Sequence, residues 1–335
     1  MRIRFGITFL PNAPSEFVGW CRTAEQCDFD IIGIADSQSL YREVYISCTL
    51  CALNTERIRF GPRVINPLTR HPAVAASAAV TLEELAPGRT MLGLGTGDSA
   101  VYNLGLKGAT HAEMREYLTA LRDLLRSGAA SYRGRQSRLT WGRANVPLYI
   151  AASGPKTLRL AGEIADGVVI NTGLLPEIVR DSIARVREGA EAAGRDPAEI
   201  DMWWLPLTNL AEDRHTAVEQ IKMSLASAGS HLARFTTEGK HIPPELMDRV
   251  KALGARYHFD QHDKPDSANR QLVEELDLVD YLADRFSVAG TAEDCVRKLR
   301  RAVAAGATQF WMSVHFDDKV RFMRVWAGQV MPAFR

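Results

Sequence analysis

The chain has 335 residues, 46% of them apolar and 24% charged, with a formal net charge of +1. That length fits two average domains or one large α/β barrel, with a core of ample size. The near-neutral balance gives no electrostatic case for nucleic acid or an anionic membrane as partner, and no apolar run approaches the roughly 18 residues of a membrane span.

Strand-like and helix-like runs alternate from one end to the other. The first strand covers 3–10 and closes at Pro11 and Asn12. It alternates too regularly to be a signal peptide, and five cysteines without a framework of spacings suit a reducing cytoplasm. A helix over 15–28 leads to a second strand, 30–35, which ends at Asp36 and Ser37. The helix 42–54 contains Cys48 and Cys51, a C-x-x-C inside an apolar helical run, read as core packing. The third strand, 58–65, ends at Asn66 and Pro67. An alanine-rich helix, 71–85, is apolar on most sides and suggests burial or a subunit interface. His71 stands at its start, where a cap is the plain explanation.

The fourth strand ends in the stretch that organises the site, LGLGTGDSA over 92–100. Its three alternating glycines leave the backbone bare for the close approach of a flat ligand. A helix over 111–127 and a polar excursion over 129–145 follow. The fifth strand, 146–152, runs into Ser153, Gly154 and Pro155, and the sixth, 167–170, into Asn171, Thr172 and Gly173. A helix over 176–194, a seventh strand over 202–210, an amphipathic helix over 291–305 and an eighth strand over 308–314 complete the series. Eight strands, each backed by a helix, predict a (β/α)8 barrel in one domain. The segment 228–288 is too long for a bare loop and is read as an insertion on the active-site side.

In such a barrel the chemistry lies at the C-terminal ends of the strands. The candidates are Asn12, Asp36, Ser37, Asn66, Thr96, Gly97, Asp98, Ser153, Gly154, Asn171, Thr172, Gly173 and His315. Ser153 can cap the next helix, or the free N–H groups of that turn, with the Asn171 to Gly173 loop beside them, can grip a phosphate. Asp36 ends an otherwise apolar strand, as a general acid or base or as a cap for the next helix. His258 and His262 have i,i+4 spacing without a third ligand, so closure over a substrate is preferred to a metal. The glycine loop fits the dinucleotide fingerprint only loosely, because it follows the fourth strand and the nearest acid, Glu116, falls in a helix.

Taken together, the stretches 33–36 (GIAD), 61–71 (GPRVINPLTRH), 92–105 (LGLGTGDSAVYNLG), 151–166 (AASGPKTLRLAGEIAD) and 290–306 (GTAEDCVRKLRRAVAAG) resemble the bacterial luciferase-like superfamily of flavin- and deazaflavin-dependent oxidoreductases, nearest its methylenetetrahydromethanopterin reductase branch. The resemblance implies a barrel with insertions, a homodimer, and reduced FMN or coenzyme F420 at the C-terminal mouth. It implies a cis peptide between Arg63 and Val64 behind the ring, ring contacts from Asn66 and the backbone of Thr96 and Gly97, and a phosphate held by Ser153, Gly154, Thr172 and Gly173. Asp36 would face the substrate. Ser37 stands where relatives that dehydrogenate alcohols or sugars carry a histidine base, and Arg63 stands where many have a small residue.

With no strong basic cluster at the mouth outside the insertion to meet the anionic tail of F420, the sequence favours reduced FMN, supplied by a separate reductase and used to monooxygenate a small organic substrate. Hydride transfer with F420 is the alternative. A non-catalytic flavin-binding protein is a third reading, against which the intact set of strand-end polar residues stands.

Overall fold

The computed structural model describes residues 2–234, 236–261, 267–314 and 318–335. The strands in chain order are β1 (Arg4–Phe9), β2 (Ile31–Ile34), β3 (Arg59–Pro62), β4 (Leu92–Leu94), β5 (Ala129–Tyr132), β6 (Arg135–Arg138), β7 (Leu148–Ala152), β8 (Gly167–Ile170), β9 (Asp201–Trp204), β10 (Leu207–Leu210), β11 (Ser287–Gly290) and β12 (Gln309–Ser313). Eight of them run in the order β3-β2-β1-β12-β9-β8-β7-β4, all parallel. Bridges from Phe60 to Thr90 and from Ile65 to Leu94 bring β4 back to β3. The result is a nearly closed (β/α)8 barrel. The polar excursion over 129–145 contains a hairpin of β5 with β6.

The outer helices begin and end where local chemistry directs. His111–Ser127 opens on a capping box, Thr110 with Glu113, and stops at Gly128, whose φ of +78° suits glycine. Ala292–Ala304 opens on a second box, Thr291 with Asp294. Helix Pro72–Leu85 is capped by the His71 ring, whose Nδ1 accepts from the Ala73 N–H at 3.2 Å. Cys48 and Cys51 are buried in helix Val44–Asn54, and burial pushes the Cys48 thiol well up, away from the reactive thiolate.

Two features depart from the expected strands. The seventh, 202–210, is broken into β9 and β10 with Pro206 in the gap, a residue with no N–H to offer a ladder. β11 is a strand the sequence reading lacks. Its four residues, SVAG, are too short and small to show a period, yet all are buried and pair with β10. The insertion is correspondingly longer than 228–288. The chain leaves the barrel through helix Arg214–Gln220 and returns through β11. In between, helices Lys222–Ala233, Met247–Arg256, Ala268–Glu275 and Val279–Phe286 pack around Leu225, Leu232, Leu253, Leu272, Leu282 and Phe286, an apolar core separate from that of the barrel.

The strand alternation also sets what fills the barrel. On β1, Phe5, Ile7 and Phe9 face the outer helices, so Arg4, Gly6 and Thr8 point inwards. The waist is filled by Trp203 and Trp311, whose rings lie 5.4 Å apart, with Ile31, Met91, Tyr149 and Val169 around them. Gly6 makes room: a Cβ there would lie 2.8 Å from the Trp311 ring.

Candidate active site

Five loops at the C-terminal mouth, those after β2, β3, β4, β7 and β8, carry the expected residues. The bond Arg63-Val64 is cis, at the position the resemblance implies. Val64 packs against β4 and the residue that follows it: a Cβ on Gly93 would lie 3.0 Å, and one on Gly95 2.8 Å, from its methyl carbons. These two glycines therefore admit Val64, not a ligand, which corrects the reason given for them from sequence. Gly97 is required for a different reason, its φ of +107° and the Val101 side chain 2.5 Å from where a Cβ would stand. Thr96 turns its carbonyl to the Ala109 N–H at 2.6 Å. Asn66 is buried and caps its own loop, accepting from the N–H groups of Leu68 and Thr69 and donating to the Thr69 hydroxyl.

Asp36 is not the cap of the next helix, since Glu43 takes that place. Its carboxylate, 3% exposed, forms a two-pronged ion pair with Arg70, which also reaches Glu43 at 2.8 Å and lies over the Tyr45 ring. Burial raises the Asp36 carboxyl above its ordinary value against the pull of Arg70. The structure thus turns Asp36 into an ion pair at the edge of the mouth. Ser37 is buried and shares a 2.9 Å hydrogen bond with Ser99.

The loops after β7 and β8 sit beside the insertion. Helix Pro155–Ile164 has Gly154 at its N-cap and no side chain capping it, which corrects the expectation that Ser153 would do so. Its first-turn N–H groups are left to a ligand or to solvent. Lys240 passes close by: a Cβ on Gly154 would lie 3.3 Å from its Cε. The buried Lys240 ammonium donates to the carbonyls of His231, Leu232 and Arg234, ending helix Lys222–Ala233. Burial, with Arg285 and Arg234 nearby, lowers its pKa to about 8. Arg285, 1% exposed, donates to the carbonyls of Thr172, His241 and Lys240 and to the Tyr281 hydroxyl. It packs against Gly173, whose φ is +116°. Thr172 is buried, its hydroxyl 2.8 Å from that of Ser182.

A third contact ties the insertion to the glycine loop. The His231 Nδ1 faces the Asn171 amide at 3.2 Å and its Nε2 faces Asp98 Oδ2 at 3.0 Å. The neutral ring that accepts from Asn171 and donates to Asp98 satisfies both, and burial, aided by Arg234, holds the imidazole below its ordinary pKa. Arg234 meets the other Asp98 oxygen at 3.1 Å and lies over the rings of Tyr102 and Phe259. Asp98 is the more open of the two mouth acids, with 35% of its side chain exposed.

His258 is exposed, and the Asn269 side chain pins its backbone. His262 and His315 lie outside the described residues. Among the described residues no group of three or more metal-ligating side chains comes together. The sequence reading passed over Arg70, His231, Arg234, Lys240 and Arg285. Arg285, an arginine on the apolar face of a helix, carried a readable signal. The others look like ordinary surface charges until the fold buries them.

The mouth fits a flavin-type group on its own evidence. The uncapped helix beside two loops flanked by cations suits a phosphate, and the buried polar atoms Thr8 Oγ1 and Arg63 Nε, neither with a hydrogen-bond partner among the described residues, lie beneath the opening. Comparison with known proteins agrees. The luciferase-like monooxygenase family model matches residues 4–309. The chain is 31% identical to 5,10-methylenetetrahydromethanopterin reductase of Methanolobus tindarius, over 91% of this chain and 92% of that one. It is 28% identical to the F420-dependent glucose-6-phosphate dehydrogenase of Nakamurella multipartita, over 99% and 97%. Among solved structures, the coenzyme F420 dependent tetrahydromethanopterin reductase from Methanopyrus kandleri superposes with a TM-score of 0.78 over the full length of both chains at 26% identity. The chain belongs to the luciferase-like monooxygenase family and is an oxidoreductase of that type.

Proposed function

We propose that the protein is a coenzyme F420-dependent oxidoreductase that exchanges a hydride with a small organic substrate. The observation that carries this reading is the cationic wall at the mouth. The expectation of reduced FMN set the insertion aside and found no strong basic cluster elsewhere at the mouth, and the insertion brings cations there. Lys240 and Arg285 lie against Gly154 and Gly173, and Arg234 lies next to Asp98. The donors of Lys240 go to carbonyls and those of Arg285 to carbonyls and the Tyr281 hydroxyl, so these two act through charge, favouring an anionic tail. Relatives named as F420-dependent support the same choice.

F420, when bound, supplies a carbon centre at C5 that gives or takes a hydride and does not usefully activate oxygen. The chain's own tasks follow from the geometry. The turn at Ser153 and Gly154, with Thr172 and Gly173 beside it, grips phosphate through backbone N–H groups and the helix dipole. Val64 and the backbone of Thr96 and Gly97 flank the ring, and Asn66 keeps the Val64 loop in shape. Asp98, oriented by His231 and Arg234, holds or takes a proton at its exposed carboxylate. Asp36, fixed by Arg70, shapes the substrate side next to the buried Ser37.

We place the enzyme in the cytoplasm, as a homodimer through helices Val44–Asn54 and Pro72–Leu85. Ile46, Leu53 and Val74 support that dimer, being apolar and 58–65% exposed on neighbouring helices. Among the described residues no helix is long and apolar enough to cross a membrane.

The test is anaerobic titration with F420 and with FMN, each oxidised and reduced, followed by fluorescence or calorimetry. F420 is expected to bind at least ~100-fold more tightly than FMN, about 2.7 kcal/mol. Tight binding of reduced FMN alone would overturn the reading and restore the monooxygenase with its separate reductase.

A further inference from the structure

The floor of the mouth has an unusual composition. Three adjacent strands bring Gly33, Thr8 and Ser313 side by side, through the register pairs Thr8 with Gly33 and Thr8 with Ser313. Each lies on the inward side of its strand. Arg63 fills the space that Gly33 leaves open: a Cβ on Gly33 would lie 3.0 Å from the Arg63 Cβ and Cδ. Its guanidinium then rests 5.8 Å above the Trp311 ring and donates one hydrogen bond, 3.0 Å, to the Ser313 hydroxyl.

Two other interior arginines are fully answered. Arg285 makes four hydrogen bonds, and Arg59 meets Tyr149 and Asp201. Among the described residues Arg63 has no acidic partner, and its buried Nε has no hydrogen-bond partner. Thr8 Oγ1, 2% exposed as a residue and one strand over, has none among the described residues either. A cation with a buried, open donor is destabilising unless an acceptor or anion completes it. Burial lowers the Arg63 pKa only to about 9, so the charge is present at neutral pH.

We propose that Arg63, with Thr8 and Ser313, forms an anion-stabilising floor that binds the negatively charged pyrimidine edge of a reduced flavin or deazaflavin ring in preference to the oxidised ring, which carries less charge at that edge. This rests on the reading that the mouth holds such a ring. The anion is assigned to the ring because Arg63 and the wall residue Val64 are neighbours in one loop. A flat group leaning on Val64 would lie next to the guanidinium, whereas the acids Asp36 and Asp98 are already paired with Arg70 and with Arg234 and His231. Reduced flavins and deazaflavins lose the N1 proton near neutral pH and spread the charge over N1 and the C2 oxygen, a shape suited to the fork of an arginine. Arg63 is thereby a positioning and tuning residue. It shifts the balance between the two redox forms of the bound ring by differential affinity.

The experiment measures the dissociation constants of oxidised and reduced F420, and of oxidised and reduced FMN, for the wild type and for Arg63→Met, Arg63→Lys and Ser313→Ala. In Arg63→Met the preference for the reduced form is expected to fall roughly 10–100-fold, with oxidised-ring affinity nearly unchanged. Arg63→Lys keeps the charge and should restore part of the preference. Ser313→Ala, which only loosens the guanidinium, should lower it by a few-fold. The bound ring's reduction potential must fall in the same order. If the wild type binds FMN and not F420, the proposed function fails and the floor is judged on FMN by the same ratio. An unchanged ratio in Arg63→Met overturns the inference. So does a loss confined to binding of a small carboxylate, such as acetate, by the cofactor-loaded enzyme, which would give the floor to the substrate's anion. If Arg63→Met does not fold, the lysine and Ser313→Ala variants decide, and equal ratios in both would overturn it.

Discussion

The two ends of the barrel each bury charge and solve the problem in opposite ways. At the N-terminal end, Asp201 of β9 accepts from Arg4, from the Tyr149 hydroxyl at 2.6 Å, from Trp203 Nε1 at 2.8 Å and from Gln309 at 2.7 Å. Arg59 stands 3.7 Å away and itself donates to Tyr149. Burial alone would raise the Asp201 carboxyl, but Tyr149, Arg4, Trp203 and Gln309 outweigh it and hold it below its ordinary value. Four strands contribute one residue each around Asp201, Trp203 comes from the same strand as Asp201, and the carboxylate is saturated. At the C-terminal mouth, Arg63 has no acidic partner among the described residues, Lys240 is pushed down to about 8 and Asp36 is pushed up by burial despite its pair with Arg70. The charges of the lower plug are answered within the fold, and those of the mouth are shifted from their ordinary values.

The largest test of that contrast is Asp201→Ala. It strips the plug of its acceptor and leaves Arg4 and Arg59 unanswered, so unfolding free energy in urea should fall by ~3–5 kcal/mol. Cofactor affinity of the folded fraction should not move, and a matching loss of affinity would mean that the two ends are coupled. Next is Gly154→Asp at the mouth, where φ is −167°, extended backbone that any residue adopts, and the Lys240 side chain has to give by a few tenths of an ångström. An aspartate there caps the helix and should raise stability by roughly 0.5–1 kcal/mol. It also brings a negative charge to the phosphate position, so cofactor affinity should drop at least ~10-fold, about 1.4 kcal/mol. Gains in both would show that the turn was uncapped for no ligand.

The smallest effect is the pH signature of Lys240, compared with Lys240→Met. Its folded pKa, about 8, lies below the ordinary 10.5, so between those values the unfolded chain binds more protons. Wild-type stability should therefore rise with pH across that window relative to the variant, with a slope below ~1.4 kcal/mol per pH unit. A difference that stays flat from pH 8 to 10.5 would mean that Lys240 is not held under repulsion.

Legibility followed how local the cause was. Helix His111–Ser127 was readable to the residue because Thr110, Glu113 and Gly128 set its ends within a few positions. The positions of Asp36, Thr96, Gly97, Ser153, Gly154 and Gly173 at the mouth followed from strand ends alone, since in a parallel barrel every strand finishes on one face. Their partners did not follow. Arg70 is 34 residues from Asp36, and His231 is 133 from Asp98. β11 was invisible because four small residues show no period, and the 202–210 strand was read as continuous across a proline that interrupts it.

The pattern of apolar alternation, caps and glycines thus determined the barrel and the loops at its mouth, and the motif stretches pointed to its family, because each depends on residues close together in the chain. Only the tertiary structure decided what those loops are made of electrostatically. The insertion folds back so that Lys240 and Arg285 flank Gly154 and Gly173, and with the F420-dependent relatives this moved our proposed function from FMN to F420. Packing set Val64 into the bare faces of Gly93 and Gly95, and set Arg63 over Trp311 with no acidic partner among the described residues. Burial and charge pairing are sums over neighbours distant in sequence, and a chain read in order does not contain those sums until it is folded.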